Sequence, residues 1–310
     1  MNPLPRRVRI VEVGARDGLQ NEEAAIATGD KITFVDLLTE AGAPVIEVGA
    51  FVSPKWVPQM ADSAEVFSAI RRAPGVRYTA LVPNLAGLER AVACGVTEIA
   101  IFAAASDTFS RRNINQSIDE SLVTYGEVCR TAIAGGMCVR GYLSTAFGCP
   151  YEGIVPVERV VEVAARLIDL GVFEVAVSDT IGVAHPGQVP LVVGAVAARI
   201  ARSQIALHFH DTRGTALANV LAGLDAGVTT FDAAAGGLGG CPFALGAAGN
   251  LATEDLVYML DGLGIETGVR LRALLDASRF MQSRLDHRLP SRYAQAEWAA
   301  EQHRHPGSPG

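Results

Sequence analysis

"RLIDLGVFEVAVSDT" (residues 166–180) contains the pattern that decides the fold. Its first half reads as a helix, Gly171 interrupts the helix, and a nearly continuous apolar run then leads to Asp179. Glycine readily adopts the left-handed backbone conformation in which many helices end. Strands that are apolar along their whole length are typical of parallel sheets covered on both faces. The stretch therefore predicts a helix that returns the chain to a buried parallel strand.

The same junction of helix, glycine and strand recurs along the chain. It returns at residues 30–51, 89–102, 131–143 and 222–233. Eight strands are predicted in total, at residues 8–14, 44–51, 77–83, 98–105, 138–145, 173–180, 205–211 and 229–237. Eight strands with helical crossovers in about 240 residues predict an α/β protein with a (β/α)8 TIM barrel. The alternative, a doubly wound nucleotide-binding sheet, is disfavoured because neither GxGxxG nor GxxxxGK is present.

The predicted strands stop near residue 265. We therefore expect a catalytic barrel at residues 1–265 and a helical extension packed on it at residues 266–303. "RHPGSPG" (304–310) predicts a flexible tail. No Pro, Gly or Ser-rich linker divides the chain further.

Composition argues against several classes of partner. The net charge is −7, so neither nucleic acid nor an anionic membrane is expected as a partner. No apolar run reaches the roughly 18 residues of a membrane span, and the N-terminus has no apolar signal core. Five cysteines without a CxxC pair favour a reducing compartment over a disulfide scaffold. We expect a cytoplasmic protein.

Polar side chains follow several of the predicted strands. In TIM barrels, catalytic residues lie at the carboxyl ends of the strands. The residues predicted there are Arg16, Asp17 and Gln20 on the first strand, Glu47 on the second, Asp179 and Thr180 on the sixth, His208 and His210 on the seventh, and Cys241 and Asn250 after the eighth. These positions form the predicted active site.

The "HFH" of residues 208–210 predicts a metal site. Side chains two apart on a strand point to the same face, so the two imidazoles project together. The alternative is a pair of histidines bound to polar neighbours. Asp17 is the expected carboxylate partner, because the first and seventh strands are near neighbours in the ring. Two imidazoles with oxygen ligands favour Mg²⁺ or Mn²⁺. The alternative for Asp17 is a buried Arg16–Asp17 ion pair that only joins the barrel top. It is disfavoured because adjacent strand residues point to opposite faces, so Arg16 and Asp17 are expected to point apart.

Three further positions have two interpretations each. Glu47 is either a general base or a group that orients Arg16 or a metal-bound water, and its alternative is a structural ion pair. Cys241 lies in a loop with many glycines, which indicates mobility, although an inert cysteine in a tight turn is the alternative. The pattern alone favours Asn250 as the N-cap of the following helix.

Six motifs together identify a family resemblance. They are "VEVGARDGLQNE" (11–22), "FVSPKWVPQM" (51–60), "RGYLSTAFGCPYEG" (140–153), "SDTIGV" (178–183), "HFHDTRGTALAN" (208–219) and "GGLGGCPFALGAAGNLATEDLVYML" (236–260). In combination they resemble the 3-hydroxy-3-methylglutaryl-CoA lyase family, over about residues 8–285.

The resemblance implies an activity and a set of roles. The family cleaves its acyl-CoA substrate to acetyl-CoA and acetoacetate with Mg²⁺ or Mn²⁺, and a homodimer is expected. By motif, the metal ligands are Asp17, His208, His210 and Asn250; Arg16 and Thr180 contact the substrate; and Cys241, His208, Glu47, Asp179 and Gln20 act in or support catalysis. The resemblance thus favours a ligand role for Asn250 over a capping role.

Four positions near the motifs depart from the family's usual residues: Glu23, Ala50, Ser178 and Arg213. A lyase for a longer 3-hydroxy-3-alkylglutaryl-CoA is therefore an alternative. A condensing synthase of the same superfamily is a second one, although such enzymes read Arg-Asp-Gly-Glu-Gln where this chain has "RDGLQ". A non-catalytic barrel is a third.

Overall fold

The computed structural model describes residues 3–239 and 249–304. Eight parallel strands close into a barrel in chain order. The strands are β1 (Arg9–Glu12), β2 (Val45–Ala50), β3 (Arg77–Leu81), β4 (Glu98–Ala104), β5 (Cys138–Ser144), β6 (Glu174–Asp179), β7 (Ile205–Phe209) and β8 (Thr230–Ala233). The predicted TIM barrel is confirmed. Each strand lies within its predicted range and is shorter than predicted, because the chain turns out of the sheet at the barrel mouth.

The helices of the described residues surround the barrel. They are α1 (Thr28–Ala41), α2 (Ser63–Ala69), α3 (Leu85–Ala93), α4 (Asp107–Ile114), α5 (Ile118–Ala134), α6 (Val157–Asp169), α7 (Val189–Ala197), α8 (Ala216–Asp225), α9 (Thr253–Gly262), α10 (Leu271–Gln282) and α11 (Arg292–Arg304). At the junctions after α1 and α6, Gly42 (φ 88°) and Gly171 (φ 90°) adopt the left-handed conformation that the sequence pattern predicts. None of the helices described here is long and apolar enough to cross a membrane.

The closure of the ring determines which residues meet at the mouth. Strand β1 pairs with β8 from Arg9 opposite Thr230 to Glu12 opposite Ala233. Strand β8 also pairs with β7, where His208 lies opposite Asp232. The ends of the first, seventh and eighth strands are therefore neighbours in space. This brings together side chains from both ends of the sequence.

The chain leaves β1 through a single π-helical turn, Gly14–Gly18, which we call the π-turn. The sequence had suggested that extended backbone continues through this region. Because the π-turn is coiled, its adjacent side chains do not point to opposite faces. Arg16 Nη1 donates a hydrogen bond to Asp17 Oδ1 at 2.6 Å. The expectation that Arg16 and Asp17 point apart is therefore wrong.

The last two helices pack on the outside of the barrel. Helix α10 lies along α1, and α11 contacts α9. Arg304, which the sequence assigned to the tail, is the last residue of α11. The remainder of the predicted tail lies outside the described residues, and the boundary after residue 265 stays a prediction.

Candidate active site

A cavity opens at the carboxyl ends of the strands. Its lining combines charged, polar and aromatic side chains from many strand ends and from α4: Arg16, Asp17, Gln20, Asn21, Leu81, Phe102, Phe109, Asn113, Tyr142, Ser144, Ser178, Thr180, His208 and His210. The cavity thus contains most of the residues that the sequence placed at the barrel mouth. Ser178, one of the departures from the family pattern, is part of its wall.

Three potential metal ligands meet in this cavity. One ligand atom from each of Asp17, His208 and His210 lies within 4.8 Å of the other two. His208 Nε2 is 3.9 Å from Asp17 Oδ2, and the two imidazole ring centroids are 5.2 Å apart. The two histidines come from one strand end, and the aspartate comes from the π-turn. The predicted grouping of these three residues matches the geometry.

Asn250 joins the cluster through the backbone. It forms a β-bridge with His210, and its Nδ2 donates to the carbonyl of Leu238 at 3.0 Å. The residue before helix α9 is Ala252, so Asn250 is not its N-cap. The capping interpretation is therefore wrong.

Two polar atoms here, His210 Nδ1 and Asn250 Oδ1, are buried and have no hydrogen-bond partner among the described residues. Buried polar atoms normally have a partner, so these two indicate a missing ligand. A carboxylate, an amide oxygen and two imidazoles suit a hard or borderline divalent cation, and no thiolate lies in the described cluster. The residues present fit a metal ion such as Mg²⁺ or Mn²⁺.

The protonation states of Asp17 and His210 also suit metal binding. Burial alone would raise the pKa of Asp17, but the neighbouring Arg16, His208 and His210 and a hydrogen bond from Asn250 lower it to about 2. Burial, together with the nearby His208, lowers the pKa of His210 to about 3. At neutral pH the aspartate is therefore ionised and the His210 imidazole is neutral, as a cation ligand must be.

Arg16 is held between two carboxylates. Its Nε donates to Glu47 Oε2 at 2.5 Å and its Nη1 donates to Asp17, while the guanidinium lies 5.3 Å from the centroid of the Tyr142 ring. Burial opposes the charge, but Glu47 and Asp17 outweigh it and raise the pKa of Arg16. Neither contact uses Nη2. Glu47 thus orients the arginine. The other oxygen of Glu47, Oε1, is buried and has no hydrogen-bond partner among the described residues.

The other predicted residues occupy different places. Gln20 lines the cavity, and its buried Oε1 has no hydrogen-bond partner in the part of the chain that the structure describes. Thr180 also lines the cavity, and its hydroxyl accepts a hydrogen bond from the Thr145 N–H at 2.8 Å. Asp179 instead accepts from the N–H groups of Val183 and Ala184 and so shapes the loop after β6. Burial raises its pKa to about 6. Cys241 lies outside the described residues.

Sequence reasoning missed a buried charged group behind His208. Asp232 Oδ2 lies 3.3 Å from His208 Nδ1, and both Asp232 oxygens accept hydrogen bonds from Arg140. The available signal was a charged residue in the middle of an apolar strand, in "CVRGYLST" and in "TTFDAAAGG". Asp232 and Arg140 lie within their strands, so a prediction based on the strand ends does not include them.

Two glycines let the chain come close to the site. Gly239 has φ 104°, and a Cβ there would lie 2.8 Å from Asn250 Nδ2. A Cβ on Gly18, in the π-turn, would lie 2.7 Å from the Cβ of Leu238. The segment that leads into the glycine-rich loop therefore packs directly against the π-turn.

Comparison with known proteins gives a consistent result. The family model HMGL-like matches residues 7–281. The chain is 53% identical over 293 residues to the mitochondrial hydroxymethylglutaryl-CoA lyase of Bos taurus, which covers 94% of this chain and 90% of that protein.

Solved structures of hydroxymethylglutaryl-CoA lyases are also similar to this chain. The hydroxymethylglutaryl-CoA lyase of Pseudomonas aeruginosa superposes with a TM-score of 0.94 at 52% identity, covering 96% of this chain and 99% of that one. An HMG-CoA lyase of Acinetobacter baumannii, in complex with coenzyme A and 3-methylmalate, gives a TM-score of 0.90 at 40% identity, covering 96% and 97%.

Proposed function

The chain belongs to the HMGL-like family and within it to the hydroxymethylglutaryl-CoA lyases, and we propose that it cleaves 3-hydroxy-3-methylglutaryl-CoA to acetyl-CoA and acetoacetate. One observation carries the proposal. A single cavity holds a buried arginine and, directly beside it, a carboxylate and imidazole cluster suited to a cation. The substrate has a thioester on one side of the breaking bond and a hydroxyl with a carboxylate arm on the other. The two halves of the site match these two halves.

We propose that Asp17, His208, His210 and Asn250 hold Mg²⁺ or Mn²⁺. The unpartnered Asn250 Oδ1 and His210 Nδ1 support this set. When bound, the cation supplies Lewis acidity to the oxygens of the substrate. The protein's own contribution is to place an anionic Asp17 and a neutral His210 in position before the substrate arrives.

Arg16 acts on the thioester half of the substrate. As the C2–C3 bond breaks, its electron pair moves onto C2 and negative charge develops on the thioester oxygen as an enolate. A buried guanidinium stabilises such charge more than water does, because it is already oriented. Glu47 and Asp17 hold Nε and Nη1, so Nη2 is the group directed to this oxygen. Gln20 and Thr180 line the same cavity and contact the rest of the acyl chain.

Two proton transfers complete the reaction. The C3 hydroxyl gives up its proton and C3 becomes the ketone carbon of acetoacetate, while C2 of the enolate takes up a proton and becomes the methyl group of acetyl-CoA. The proposed acceptor is His208 Nε2. If a cation occupied that lone pair, another group beside the cation would have to accept the proton, since one lone pair cannot bind both. The proposed donor to C2 is Cys241, and its thiolate then takes up the proton that the acceptor removed from the C3 hydroxyl. Asp179 supports the site through the loop after β6.

The test is a release assay for acetyl-CoA and acetoacetate on 3-hydroxy-3-methylglutaryl-CoA. The protein is first treated with EDTA and then supplied with Mg²⁺ or Mn²⁺. We expect activity only after the metal is restored. A parallel assay with the 3-ethyl homologue tests the acyl group. Absence of metal-dependent release from the methyl substrate would overturn the proposal.

A homodimer and a cytoplasmic location belong to the same proposal. The four cysteines in the described part of the chain, Cys94, Cys129, Cys138 and Cys149, are all free thiols, which supports a reducing compartment. Light scattering on the purified protein tests the dimer, and cell fractionation tests the location. A monomer, or activity confined to an organelle fraction, would contradict these two points.

A further inference from the structure

A chain of buried ionic contacts runs behind His208, away from the cavity. His208 and Asp232 lie opposite each other on β7 and β8, and Asp232 is 1% exposed. Arg140, on the far side, donates Nη2 to Asp232 Oδ1 at 2.7 Å and Nη1 to Asp232 Oδ2 at 3.1 Å. Its Nε donates to Glu174 at 2.8 Å. The carboxylate therefore lies between a bidentate arginine and the imidazole.

This arrangement determines which nitrogen of His208 carries a hydrogen. An ionised carboxylate only accepts hydrogen bonds, so the Nδ1 that faces Asp232 at 3.3 Å must be the donor. In the neutral imidazole, Nε2 then has a free lone pair. Nε2 is the nitrogen that lies 3.9 Å from Asp17 Oδ2 in the cavity. Whether Nε2 binds the cation or takes up the substrate proton, it needs that lone pair.

We infer that Asp232 is a positioning residue that fixes His208 as the Nδ1–H tautomer, and that Arg140 holds Asp232 in the orientation this requires. The inference rests on the proposed metal site, and it assigns Asp232 no contact with the substrate. Hydrogen bonds of this kind behind a metal-binding histidine are worth about 10- to 100-fold in metal affinity.

The substitution Asp232→Asn makes the inference testable, because it changes one oxygen to an amide nitrogen. Arg140 presents donors only, so the amide oxygen turns toward Arg140 and the NH2 group turns toward His208. That NH2 donates to Nδ1 and forces the hydrogen of the imidazole onto Nε2. The lone pair in the cavity is then lost, although the side chain keeps its size.

Two measurements follow the change. In ¹⁵N spectra of histidine-labelled, metal-free protein, with the imidazole neutral, we expect the hydrogen of His208 on Nδ1 in the wild type and on Nε2 in the variant. In titrations with Mn²⁺ followed by electron paramagnetic resonance, we expect Asp232→Asn to bind Mn²⁺ about 10- to 100-fold more weakly. An unchanged tautomer with affinity within about twofold of the wild type would overturn the inference.

The matched control is Glu174→Gln. Glu174 is also a buried carboxylate bonded to Arg140, but the structure gives it no contact with His208. We expect this variant to keep the Nδ1–H tautomer and the Mn²⁺ affinity. An equal loss in both variants would indicate general damage to the barrel and would contradict a specific role for Asp232.

If Asp232→Asn fails to fold, the spectrum of the wild type alone still tests the inference. A hydrogen on Nε2 in that spectrum would overturn the inference without any variant. The proposed function fails in a different way, namely by absence of Mn²⁺ binding and of cleavage in the wild type. The two failures are therefore distinguishable.

Discussion

Arg16 makes two charged contacts with neighbours that have different functions in the site. Glu47 orients the guanidinium from one side, and Asp17 connects it to the proposed metal ligands. The guanidinium proposed to stabilise the enolate is thus coupled to the carboxylate proposed to bind the metal. A change at Arg16 is expected to affect chemistry more than substrate binding, since its charge matters most when the enolate forms.

We predict that Arg16→Gln lowers kcat by at least about 10²- to 10³-fold with a small change in KM, because an oriented charge at the oxyanion is lost. Steady-state kinetics on 3-hydroxy-3-methylglutaryl-CoA measure this effect. Arg71→Gln is the control, since Arg71 is exposed and bonds to Asp36 and Glu40 on the outer surface. A rise in KM at constant kcat would contradict the assignment.

Local spacing predicted one part of the site and missed another. The period of two on a strand was enough to place His208 and His210 on one face. It misjudged Arg16 and Asp17, because nothing in the residues themselves indicated that a π-helical turn follows β1. Asp232 and Arg140 were missed because their pairing crosses the barrel interior, and such a contact has no local pattern.

At the scale of elements, two buried glutamates anchor the segment after β8: Glu12 joins it to the π-turn, and Glu254 joins it to α9 and α10. Glu12 accepts hydrogen bonds from the N–H groups of Gly14 and Ala235. Glu254, in α9, accepts from the N–H of Gly236 and from the hydroxyl of Ser278. Burial raises the pKa of Glu12 to about 7 and that of Glu254 to about 8, although these hydrogen bonds oppose the shift.

The raised pKa values predict that stability falls as the pH rises. Glu254 ionises near 4.5 in the unfolded chain and near 8 in the fold, so between these values the fold retains a proton that the unfolded chain has lost. The stabilisation is complete below pH 4.5 and is lost as the pH approaches 8. Glu254→Gln, which mimics the neutral carboxyl group, removes this dependence.

Urea unfolding of the wild type and of Glu254→Gln at pH 6, 7 and 8 measures the effect. As the pH rises, we expect the free energy of unfolding of the wild type to fall relative to that of the variant, by up to about 1.4 kcal/mol per pH unit. A difference that stays constant over this range would show that Glu254 does not retain a proton in the fold.

The packing of the π-turn against Leu238 gives a further prediction. Gly18→Ala places a methyl group 2.7 Å from the Leu238 Cβ, so we expect a loss of about 1–3 kcal/mol in stability and a displaced Asp17. The Tm of thermal unfolding and the affinity for Mn²⁺ should both fall. Gly194 lies in α7, and a Cβ there would meet no atom within 4 Å beyond its chain neighbours and the helix's own backbone, so Gly194→Ala should be neutral or stabilising. Equal behaviour of the two variants would contradict the close packing.

At the scale of the whole molecule, the barrel was the most predictable feature. The predicted strands are nearly continuous apolar runs, five of them follow a junction of helix and glycine, and eight strands alternating with helices leave few other folds. The strands were predicted too long because the residues at the barrel mouth form the site as well as ending the sheet. The absence of further strand patterns predicted the helical extension. It did not predict that the extension packs along α1.

We predict that a bound cation stabilises the whole barrel, because its ligands come from the π-turn, from the end of β7 and from the segment after β8. Mn²⁺ at about 100 times its Kd should raise the free energy of unfolding by about 2.7 kcal/mol. Thermal unfolding with Mn²⁺ and with EDTA measures the shift. His210→Ala should abolish it, and a shift of equal size in that variant would place the cation elsewhere.

The pairing of β1 with β8 has a consequence for biosynthesis. The hydrogen bond between Ala235 and Glu12 spans 223 positions of the chain. At a synthesis rate of about 5–20 residues per second, Asp17 leaves the ribosome many seconds before His208 and His210, its partners in the proposed cation site. A nascent chain interrupted before β8 therefore has no complete cation site, and added metal cannot stabilise it. Metal uptake at the proposed site therefore comes after both translation and ring closure.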